Sequence, residues 1–483
     1  MKWAYVAGPK SRNPFYMMFK STFFATASFL MVVCGLAQAP TAELLSTSTA
    51  STLAFQASAF GLDIEPQYDV QKYRVTYAMP YLEDTIVVSG ALFVPQGFDD
   101  PCGLPIHIYM HGTIFKRTDA PSYNGTEGVI GNFMCTVGQL VLMPDYVGLG
   151  SSSLMHPYVQ AQSESDAGVH LMLAADQLSE ELAYTLNGQN FVSGYSQGGH
   201  AAMALARDLT NGPFSTAFPL TAAVPQSGPY DISGTQFPLT FEFDSYSNPA
   251  YLAYNVIGWN SYYGTLYEDL NEIFQEPFAT ELLLLFDGET DGDVINNACP
   301  STLDSLLVPG LIDDILTDAN HPFMVAAADN DVYDWVPQVP LEMYYCTEDE
   351  QVFYQNALVA NDWMTDLGST SHNATNLGAF DHGICAGIAI LQGTNWIQSQ
   401  VETCATRVKE SDGPTSMSLF PNPATDMVQI DGFQDQTPWG VVNQAGNLVT
   451  SGRGKHIDVA GIPSGLYILR AEGFEPTRFA VIR

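Results

Sequence analysis

A serine between two glycines, Gly194-Tyr195-Ser196-Gln197-Gly198, joins an apolar segment, residues 190–193, to an alanine-rich segment, residues 197–209. The apolar segment predicts a buried strand and the alanine-rich one a helix. In so tight a strand-to-helix turn, side chains at the flanking positions clash with neighbouring backbone, which is why glycine stands there. The free N–H groups and partial positive charge of the helix N-terminus favour an oxyanion. The pattern therefore predicts Ser196 as a nucleophile exposed on a strained elbow.

Short apolar segments elsewhere in the chain end abruptly at turn residues, which is typical of parallel strands covered on both faces. They span residues 105–110, 139–143, 190–193, 220–225 and 341–346. Two β-rich stretches, residues 70–77 and 85–95, predict an antiparallel pair. Apolar spacing predicts helices over 161–186 and 197–209. This alternation predicts an α/β fold, a mostly parallel sheet with helices on both faces.

The interval between the predicted strands at 220–225 and 341–346 contains about 115 residues. Because such an interval is far too long for an ordinary connection, it predicts a structured insertion. Aromatic-rich helical patterns at 249–263 and 266–285 support this. We expect a helical cap over the sheet, at about residues 228–335.

A nucleophilic serine needs a base, and the base needs an acid that orients it. In a sheet of this kind the chain order is serine, acid, histidine. Three acids compete just after the strand that ends at 346: Glu348, Asp349 and Glu350. An acid with a short side chain, three residues after the strand end, fits a loop whose later residue Val352 is apolar and returns to the core. We therefore predict Asp349 as the acid and expect Glu348 and Glu350 to be solvated.

Three histidines follow the acid. His456 belongs to a terminal β-rich unit, and His372 lies in a polar stretch that predicts an exposed loop. His382 immediately precedes an apolar run, residues 384–392, that predicts a final helix. A base presented at the mouth of such a loop favours His382.

An oxyanion hole needs two backbone donors aimed at one point. One predicted donor is the N–H of Gln197, the residue after the nucleophile. The other is the N–H of Thr113, in the loop His111-Gly112-Thr113 that follows an earlier strand. We expect His111 to support this loop and to take no proton itself.

The first 39 residues contain four basic residues and no acidic one, with an apolar run at 23–36 followed by Ala37-Gln38-Ala39. This is typical of a signal peptide with its cleavage site. No later segment supplies the roughly 18 apolar residues of a membrane-spanning helix. We expect an exported protein whose mature chain begins at Pro40 and has no integral membrane segment.

The formal net charge is −36, and Arg207 is the sole basic residue between Arg117 and Arg407. A surface so poor in cations cannot neutralise phosphates, which excludes nucleic acid as a partner. Neutral substrates fit better, although the acidity is also explained as a solubility device. No Cys/His spacing suggests zinc, and we expect neither a cofactor nor a metal.

Several motifs in order resemble those of the bacterial relatives of the secretory lipases within the α/β-hydrolases, from about residue 73 to 406. They lie at 111–113, 144–150, 156–158, 163–164, 194–200, 345–352 and 381–383. The resemblance implies an esterase or lipase that acts on acyl esters and carries a helical cap. The run Glu348-Asp349-Glu350 contains more acidic residues than the corresponding motif of that family usually does.

A hydrophilic segment, residues 408–418, precedes a stretch of short alternating strands and tight turns at 419–483, which predicts a small all-β unit. This unit is similar to the sorting domain of the type IX secretion system, through residues 418–424, 446–449 and 463–467. The resemblance implies export by a Bacteroidota-type cell to the surface or medium through the type IX machinery, often with removal of the domain. A carbohydrate-binding or adhesive β module is the alternative.

Removal of the signal peptide leaves six cysteines, an even number that predicts disulfides in an exported protein. The expected fold suggests three pairings as hypotheses, namely Cys102–Cys135, Cys346–Cys385 and Cys299–Cys404. The second would tie the acid loop to the histidine loop, and the third would pin the cap to the last helix.

These observations combine into one hypothesis, a secreted carboxylic ester hydrolase that acts through Ser196, His382 and Asp349 on a small-molecule or lipid ester. Its expected parts are a signal peptide (1–39), a catalytic domain (40–407), a linker (408–418) and a sorting domain (419–483). Two alternatives remain open: a peptidase or acyltransferase with the same triad, and a catalytically inactive surface protein on the same scaffold.

Overall fold

The computed structural model describes nine stretches of the chain. They are residues 38–59, 64–123, 125–243, 245–403, 417–433, 436–443, 447–471, 474 and 476–482. Three sequence expectations lie wholly or largely outside these residues: the signal peptide, the linker and Cys404. The chain divides into two compact units, with the boundary in the sequence between Val401 and Glu402.

The first unit is built on a nine-stranded sheet in the order β1-β2-β3-β5-β4-β6-β7-β8-β9. The strands are β1 (Thr41–Ser48), β2 (Asp69–Tyr81), β3 (Asp84–Gln96), β4 (Leu104–Met110), β5 (Leu140–Pro144), β6 (Leu186–Tyr195), β7 (Leu220–Gln226), β8 (Leu341–Tyr345) and β9 (His372–Asn376). β2 and β3 are antiparallel, as predicted, and the strands from β5 to β9 in this order run parallel. The predicted strands therefore correspond to β2 through β8, and the serine motif follows a central strand.

Helices cover both faces of this sheet. They are α1 (Ala50–Ala59), α2 (Glu127–Cys135), α3 (Ala161–Leu178), α4 (Gln197–Asn211), α12 (Gln355–Asp366) and α13 (His382–Gln400), with α5–α11 in the insertion below. One apolar cluster joins the sheet to α3, α4 and α12, and two others join it to α1, α2 and α13. The helix predicted to reach residue 186 ends at Leu178, because β6 begins at Leu186.

The insertion between β7 and β8 is helical and has a core of its own, in which Trp259 and Phe274 are fully buried. Its helices are α5 (Phe237–Glu242), α6 (Pro249–Tyr263), α7 (Phe278–Leu285), α8 (Gly292–Ala298), α9 (Leu303–Leu306), α10 (Leu311–Thr317) and α11 (Pro322–Asp329). The pattern at 249–263 gives α6, but the helix predicted over 266–285 is interrupted. Pro277 lacks the N–H that a continuing helix needs, so α7 begins only at Phe278.

The second unit is a small all-β domain, as the sequence predicts. Its strands are β10 (Ser418–Phe420), β11 (Met427–Asp431), β12 (Pro438–Asn443), β13 (Leu448–Arg453), β14 (His456–Asp458), β15 (Gly465–Arg470) and β16 (Thr477–Val481). They form two sheets in the orders β10-β11-β14 and β13-β12-β15-β16. Alternate side chains such as Val428, Ile457 and Leu469 are buried between them, which explains the period of two in the sequence.

Candidate active site

The elbow after β6 is strained in the way that the sequence predicts. Ser196 has φ 61° and ψ −124°, a backbone conformation that L-residues rarely adopt. A Cβ at Gly194 would lie 2.2 Å from the carbonyl oxygen of Gly198, and one at Gly198 would lie 2.0 Å from that of Met110. The N–H of Ser196 donates to the carbonyl of Gln226 at the end of β7 (3.0 Å). The two glycines are therefore required by close backbone approach.

Ser196, His382 and Asp349 form one chain of hydrogen bonds. The Oγ of Ser196 lies 2.9 Å from Nε2 of His382, and Nδ1 of His382 lies 2.8 Å from Oδ2 of Asp349. A carboxylate can only accept, so Nδ1 carries the proton in this arrangement and Nε2 is free to accept from the serine hydroxyl. The three side chains are nearly buried, with relative exposures of 9%, 7% and 5% for serine, histidine and aspartate. The geometry is that of a nucleophile, a base and an orienting acid.

Backbone donors hold the acid in place. The other carboxylate oxygen of Asp349, Oδ1, accepts the N–H groups of Gln351 (3.1 Å) and Val352 (2.9 Å). The side chain is thus fixed by its own loop, and the oxygen that faces His382 is left for the imidazole. This loop follows β8 directly, where the sequence predicts the acid.

Glu350 is not the purely solvated residue that the sequence suggests. Its side chain is exposed, as is that of Glu348, but its Oε2 accepts the backbone N–H of His382 (3.2 Å). Partial burial alone raises the pKa of Glu350, yet hydrogen bonds from Gln351 and His382 outweigh it and leave the pKa below its usual value. Glu350 therefore anchors the start of α13.

Tyr195, the residue before the serine, also holds the histidine. Its hydroxyl donates to the backbone carbonyl of His382 (2.7 Å), and the two rings are 4.9 Å apart. Burial raises the pKa of Tyr195 far above its usual value, so the hydroxyl keeps its proton. Neither this contact nor that of Glu350 has a signal in the sequence, since they depend on how α13 meets the end of β6 and the loop after β8.

A disulfide joins Cys346, directly after β8, to Cys385 in the first turn of α13, with 6.1 Å between their Cα atoms. The predicted pairing is confirmed. Both cysteines are fully buried. The bridge links the loop that carries Asp349 to the helix that begins with His382.

The other two predicted pairings are wrong. Cys135 is a free thiol buried among apolar side chains at the end of α2, while Cys102 is disulfide-bonded elsewhere. The strands that follow these cysteines, β4 and β5, are indeed neighbours, but the side chain of Cys135 belongs to the core between α2 and the sheet. Cys299 is also a free thiol, packed in the core of the insertion, and Cys404 lies outside the described residues.

The two predicted oxyanion donors belong to different parts of the chain, the start of α4 and the loop after β4. Gln197 is the first residue of α4, so its N–H has no acceptor one turn earlier in the helix. Thr113 lies in the loop after β4, and its Oγ1 is 2.8 Å from the hydroxyl of Tyr158. His111 is fully buried, with ring nitrogens 2.7 and 3.3 Å from the carbonyl oxygens of Gly112 and Asp145. Burial lowers the pKa of His111 to about 4, which keeps it neutral and suits a supporting role.

His372 is not in a loop but in the edge strand β9. Its Nε2 lies 3.0 Å from the carbonyl oxygen of Asn361 and 3.1 Å from Oγ1 of Thr365, both on α12. The composition around it is polar because one side of an edge strand faces solvent. The structure brings His382, and not His372, to Ser196.

A small pocket of about 50 Å³ opens beside Ser196 beneath the helical insertion. Its walls come mainly from the insertion and carry no charged side chain, with tyrosine and aliphatic groups predominant. They include Tyr158, Ile232, Phe237, Tyr246, Tyr251 and Leu252. The pocket therefore favours a neutral group, as the scarcity of cations in the sequence suggests. Among the described residues, no cluster of three or more His, Cys, Asp or Glu side chains could hold a metal ion.

Glu127, on α2 near the loop of Thr113, is a half-buried acid that forms no salt bridge among the described residues. Burial raises its pKa to about 7, and its Oε2 has no hydrogen-bond partner in the part of the chain that the structure describes. Since the pKa is raised in the folded state, the folded protein binds more protons than the unfolded chain between about pH 4.5 and 7. Stability contributed by this group is therefore lost as the pH rises through that window.

We expect Glu127→Gln to raise the thermal unfolding temperature by a few degrees at pH 8 and to change it little at pH 4.5, where the folded acid is neutral and the unfolded one is about half ionised. Thermal unfolding of both proteins between pH 4.5 and 8.5 measures this. Equal shifts at every pH would show that the carboxyl group does not titrate in this window.

A mostly parallel sheet, a serine on a strained elbow after a central strand and a helical insertion over the site define the α/β-hydrolase fold, as the sequence resemblance implies. Solved structures of similar fold include a hydrolase from Legionella pneumophila, 25% identical over 74% of this chain and 97% of that chain, with a TM-score of 0.68. Another is the rice cell wall degrading esterase LipA from Xanthomonas oryzae, 25% identical over 75% of this chain and 98% of that chain, also with a TM-score of 0.68. Candida antarctica lipase A in its closed state shares the fold at 14% identity, over 74% and 81% of the two chains, with a TM-score of 0.57.

The terminal unit matches a known domain family. Residues 418–477 match the secretion system C-terminal sorting domain. The protein is thus a type IX secreted protein of the Bacteroidota type, with a hydrolase fold of the kind found in esterases and lipases. No curated protein sequence matches the chain. None of the helices in the described residues is long and apolar enough to cross a membrane.

Proposed function

We propose that the protein is a secreted carboxylic ester hydrolase that cleaves neutral acyl esters through Ser196, His382 and Asp349. The observation that carries the proposal is the continuous hydrogen-bond chain from Oγ of Ser196 through the imidazole to Asp349, at the edge of an uncharged pocket. In this proposal residues 40–407 catalyse the reaction and residues 419–483 serve export.

The proposed reaction begins when Oγ of Ser196 attacks the ester carbonyl and its proton passes to Nε2 of His382. Asp349 accepts the Nδ1–H bond and stabilises the resulting imidazolium. The N–H groups of Gln197 and Thr113 stabilise the oxyanion that develops on the carbonyl oxygen. Collapse transfers the proton to the leaving alcohol and gives an acyl-enzyme, which water hydrolyses with His382 again as base.

Two other classes use the same residues, namely a peptidase and an acyltransferase. A third reading is a surface protein that keeps the fold without the activity. The fold shared with an esterase and a lipase favours ester cleavage. The uncharged pocket disfavours acyl donors that carry phosphate or carboxylate, because none of the residues that line it is cationic.

We expect the pocket to restrict the length of the acyl group. A volume of about 50 Å³ holds only a few water-sized groups. Phe237 and Leu252 belong to the packed core of the insertion, so extra methylenes would force that core apart. Overpacking costs about 1–3 kcal/mol, and about 1.4 kcal/mol corresponds to a tenfold change. We therefore expect kcat/KM for acetyl or butyryl p-nitrophenyl esters to exceed that for the octanoyl ester by about tenfold or more.

Steady-state hydrolysis of a p-nitrophenyl ester series by the purified mature protein tests the proposal. The matching p-nitroanilides and an alcohol acceptor serve as controls for the other classes. Hydrolysis of the anilides but of no ester favours a peptidase, and ester-dependent acylation of the alcohol in place of hydrolysis favours a transferase. If neither substrate series is turned over, the scaffold reading stands.

A further inference from the structure

A buried polar network lies beneath the first turn of α4. Glu164, in the first turn of α3, is completely buried, and each of its carboxylate oxygens accepts one bond from α4. Oε1 lies 2.8 Å from Nε2 of Gln197, and Oε2 lies 2.8 Å from Nδ1 of His200. One carboxylate thus holds two side chains of the helix that follows the nucleophile.

The second N–H of the Gln197 amide is also engaged. Its Nε2 lies 2.8 Å from Nε2 of His156, whose Nδ1 is 2.7 Å from the carbonyl oxygen of Val147. That carbonyl can only accept, so the proton of His156 sits on Nδ1 and Nε2 accepts from Gln197. Burial lowers the pKa of His156 to about 3, which is consistent with a neutral ring. The side chain of Gln197 is therefore clamped between two acceptors.

His200 connects the same network to the end of the insertion. Its Nε2 lies 2.8 Å from the backbone carbonyl oxygen of Asn330, so Nε2 carries a proton. One further proton lies between Nδ1 of His200 and Glu164, and the bond persists whichever partner holds that proton. The side chain of Asn330 in turn accepts the N–H of Ala161 at the start of α3 (2.8 Å). Four chain segments thus meet around Gln197.

We propose that Glu164 is a positioning residue for the oxyanion hole, acting through Gln197. This inference rests on the proposed function, in which the backbone N–H of Gln197 is a donor to the oxyanion. A clamped side chain fixes the rotation of its own residue and hence the direction of that N–H. The oxyanion forms only after attack by Ser196, so a misdirected donor weakens binding of the transition state while binding of the substrate is kept.

Two substitutions at Glu164 separate the hydrogen bonds from the charge. In Glu164→Gln the new amide oxygen accepts from Gln197, and the new amide nitrogen donates to Nδ1 of a neutral His200, so both bonds survive. Glu164→Leu removes both acceptors at similar volume. Loss of a whole oxyanion donor costs about 10²–10³ in kcat. We expect Glu164→Leu to lower kcat by about 10- to 100-fold with KM within twofold, and Glu164→Gln to keep kcat within about threefold.

Gln139→Leu is the matched control for loss of a buried polar network. Oε1 of Gln139 lies 2.7 Å from Nδ1 of His107, whose Nε2 is 2.7 Å from Oγ of Ser193, and these groups are buried in the sheet. None of their hydrogen bonds reaches Gln197. We expect this variant to lower the thermal unfolding temperature about as much as Glu164→Leu does while kcat is unchanged.

Gln197→Met covers the case in which Glu164→Leu does not fold. It removes the amide but keeps the backbone N–H, and Glu164 keeps its bond to His200. We expect the same fall in kcat at constant KM on p-nitrophenyl acetate. A kcat within threefold of wild type in folded Glu164→Leu or Gln197→Met overturns the inference, as does an equal loss in Glu164→Gln. If the wild-type protein hydrolyses no ester, the proposed function itself fails.

Discussion

Replacement of Ser196 by alanine is expected to reduce kcat for p-nitrophenyl acetate by at least about 10⁴-fold. The substitution removes the only atom of this residue that can form the acyl-enzyme, and loss of a nucleophile in serine hydrolases leaves only the catalysis due to binding and the oxyanion donors. The fold should be retained, because the side chain of Ser196 has its hydrogen bond to His382 alone among the described contacts. Steady-state kinetics together with thermal unfolding measure both effects.

Ser193→Ala is the control for the serine substitution. Ser193 lies on the same strand, three residues earlier, and its buried hydroxyl also bonds a histidine, His107. This variant should lose stability and keep kcat within about twofold. A fall in kcat of less than about 10²-fold in Ser196→Ala would mean that another residue is the nucleophile, because binding and the oxyanion donors alone do not sustain such a rate.

Replacement of Asp349 by asparagine is expected to lower kcat by about 10³- to 10⁴-fold. An asparagine amide that keeps the backbone bonds of the loop presents an N–H to His382, which then turns its lone pair toward position 349 and its proton toward Ser196. The histidine can no longer accept the serine proton. Steady-state kinetics at several pH values would register the loss.

Glu350→Gln and Glu348→Gln test whether the acid is assigned correctly. Glu350 accepts the backbone N–H of His382 through Oε2 and the side-chain amide of Gln351 through Oε1. A glutamine oxygen can still accept the bond from His382, so we expect a loss of less than about tenfold. Glu348 is exposed, and its replacement should have no effect on kcat. A fall in Glu350→Gln as large as in Asp349→Asn would transfer the role of the acid to Glu350.

Much of the fold follows from local pattern. The strand boundaries come within a few residues of prediction because each apolar segment is stopped by turn residues whose effect is local. The elbow at Ser196 is equally local, since two glycines and a following helix suffice to define it. The break before α7 was missed although Pro277 stands in the sequence, because the apolar spacing on either side is helical.

Contacts between distant parts of the chain could not be predicted from local sequence pattern. The chain order and the predicted ends of strands and helices indicate Asp349 and His382. The hydrogen bonds of Tyr195 and Glu350 to His382 instead arise where α13 packs against the ends of β6 and β8. His156 and Glu164 belong to motifs of the family resemblance, but nothing in the sequence indicates that their side chains meet at Gln197. The cysteines make the same point, since side-chain direction at Cys135, and not strand adjacency, decides whether a bridge forms.

The bridge between Cys346 and Cys385 bears on when the site receives its final form. Thiols stay reduced in the bacterial cytoplasm and become oxidised after export. The two halves of the site, one behind β8 and the other at the start of α13, are therefore joined covalently only after the chain has left the compartment in which it is made. Export thus also supplies the last cross-link of the site, outside the compartment in which the chain is made.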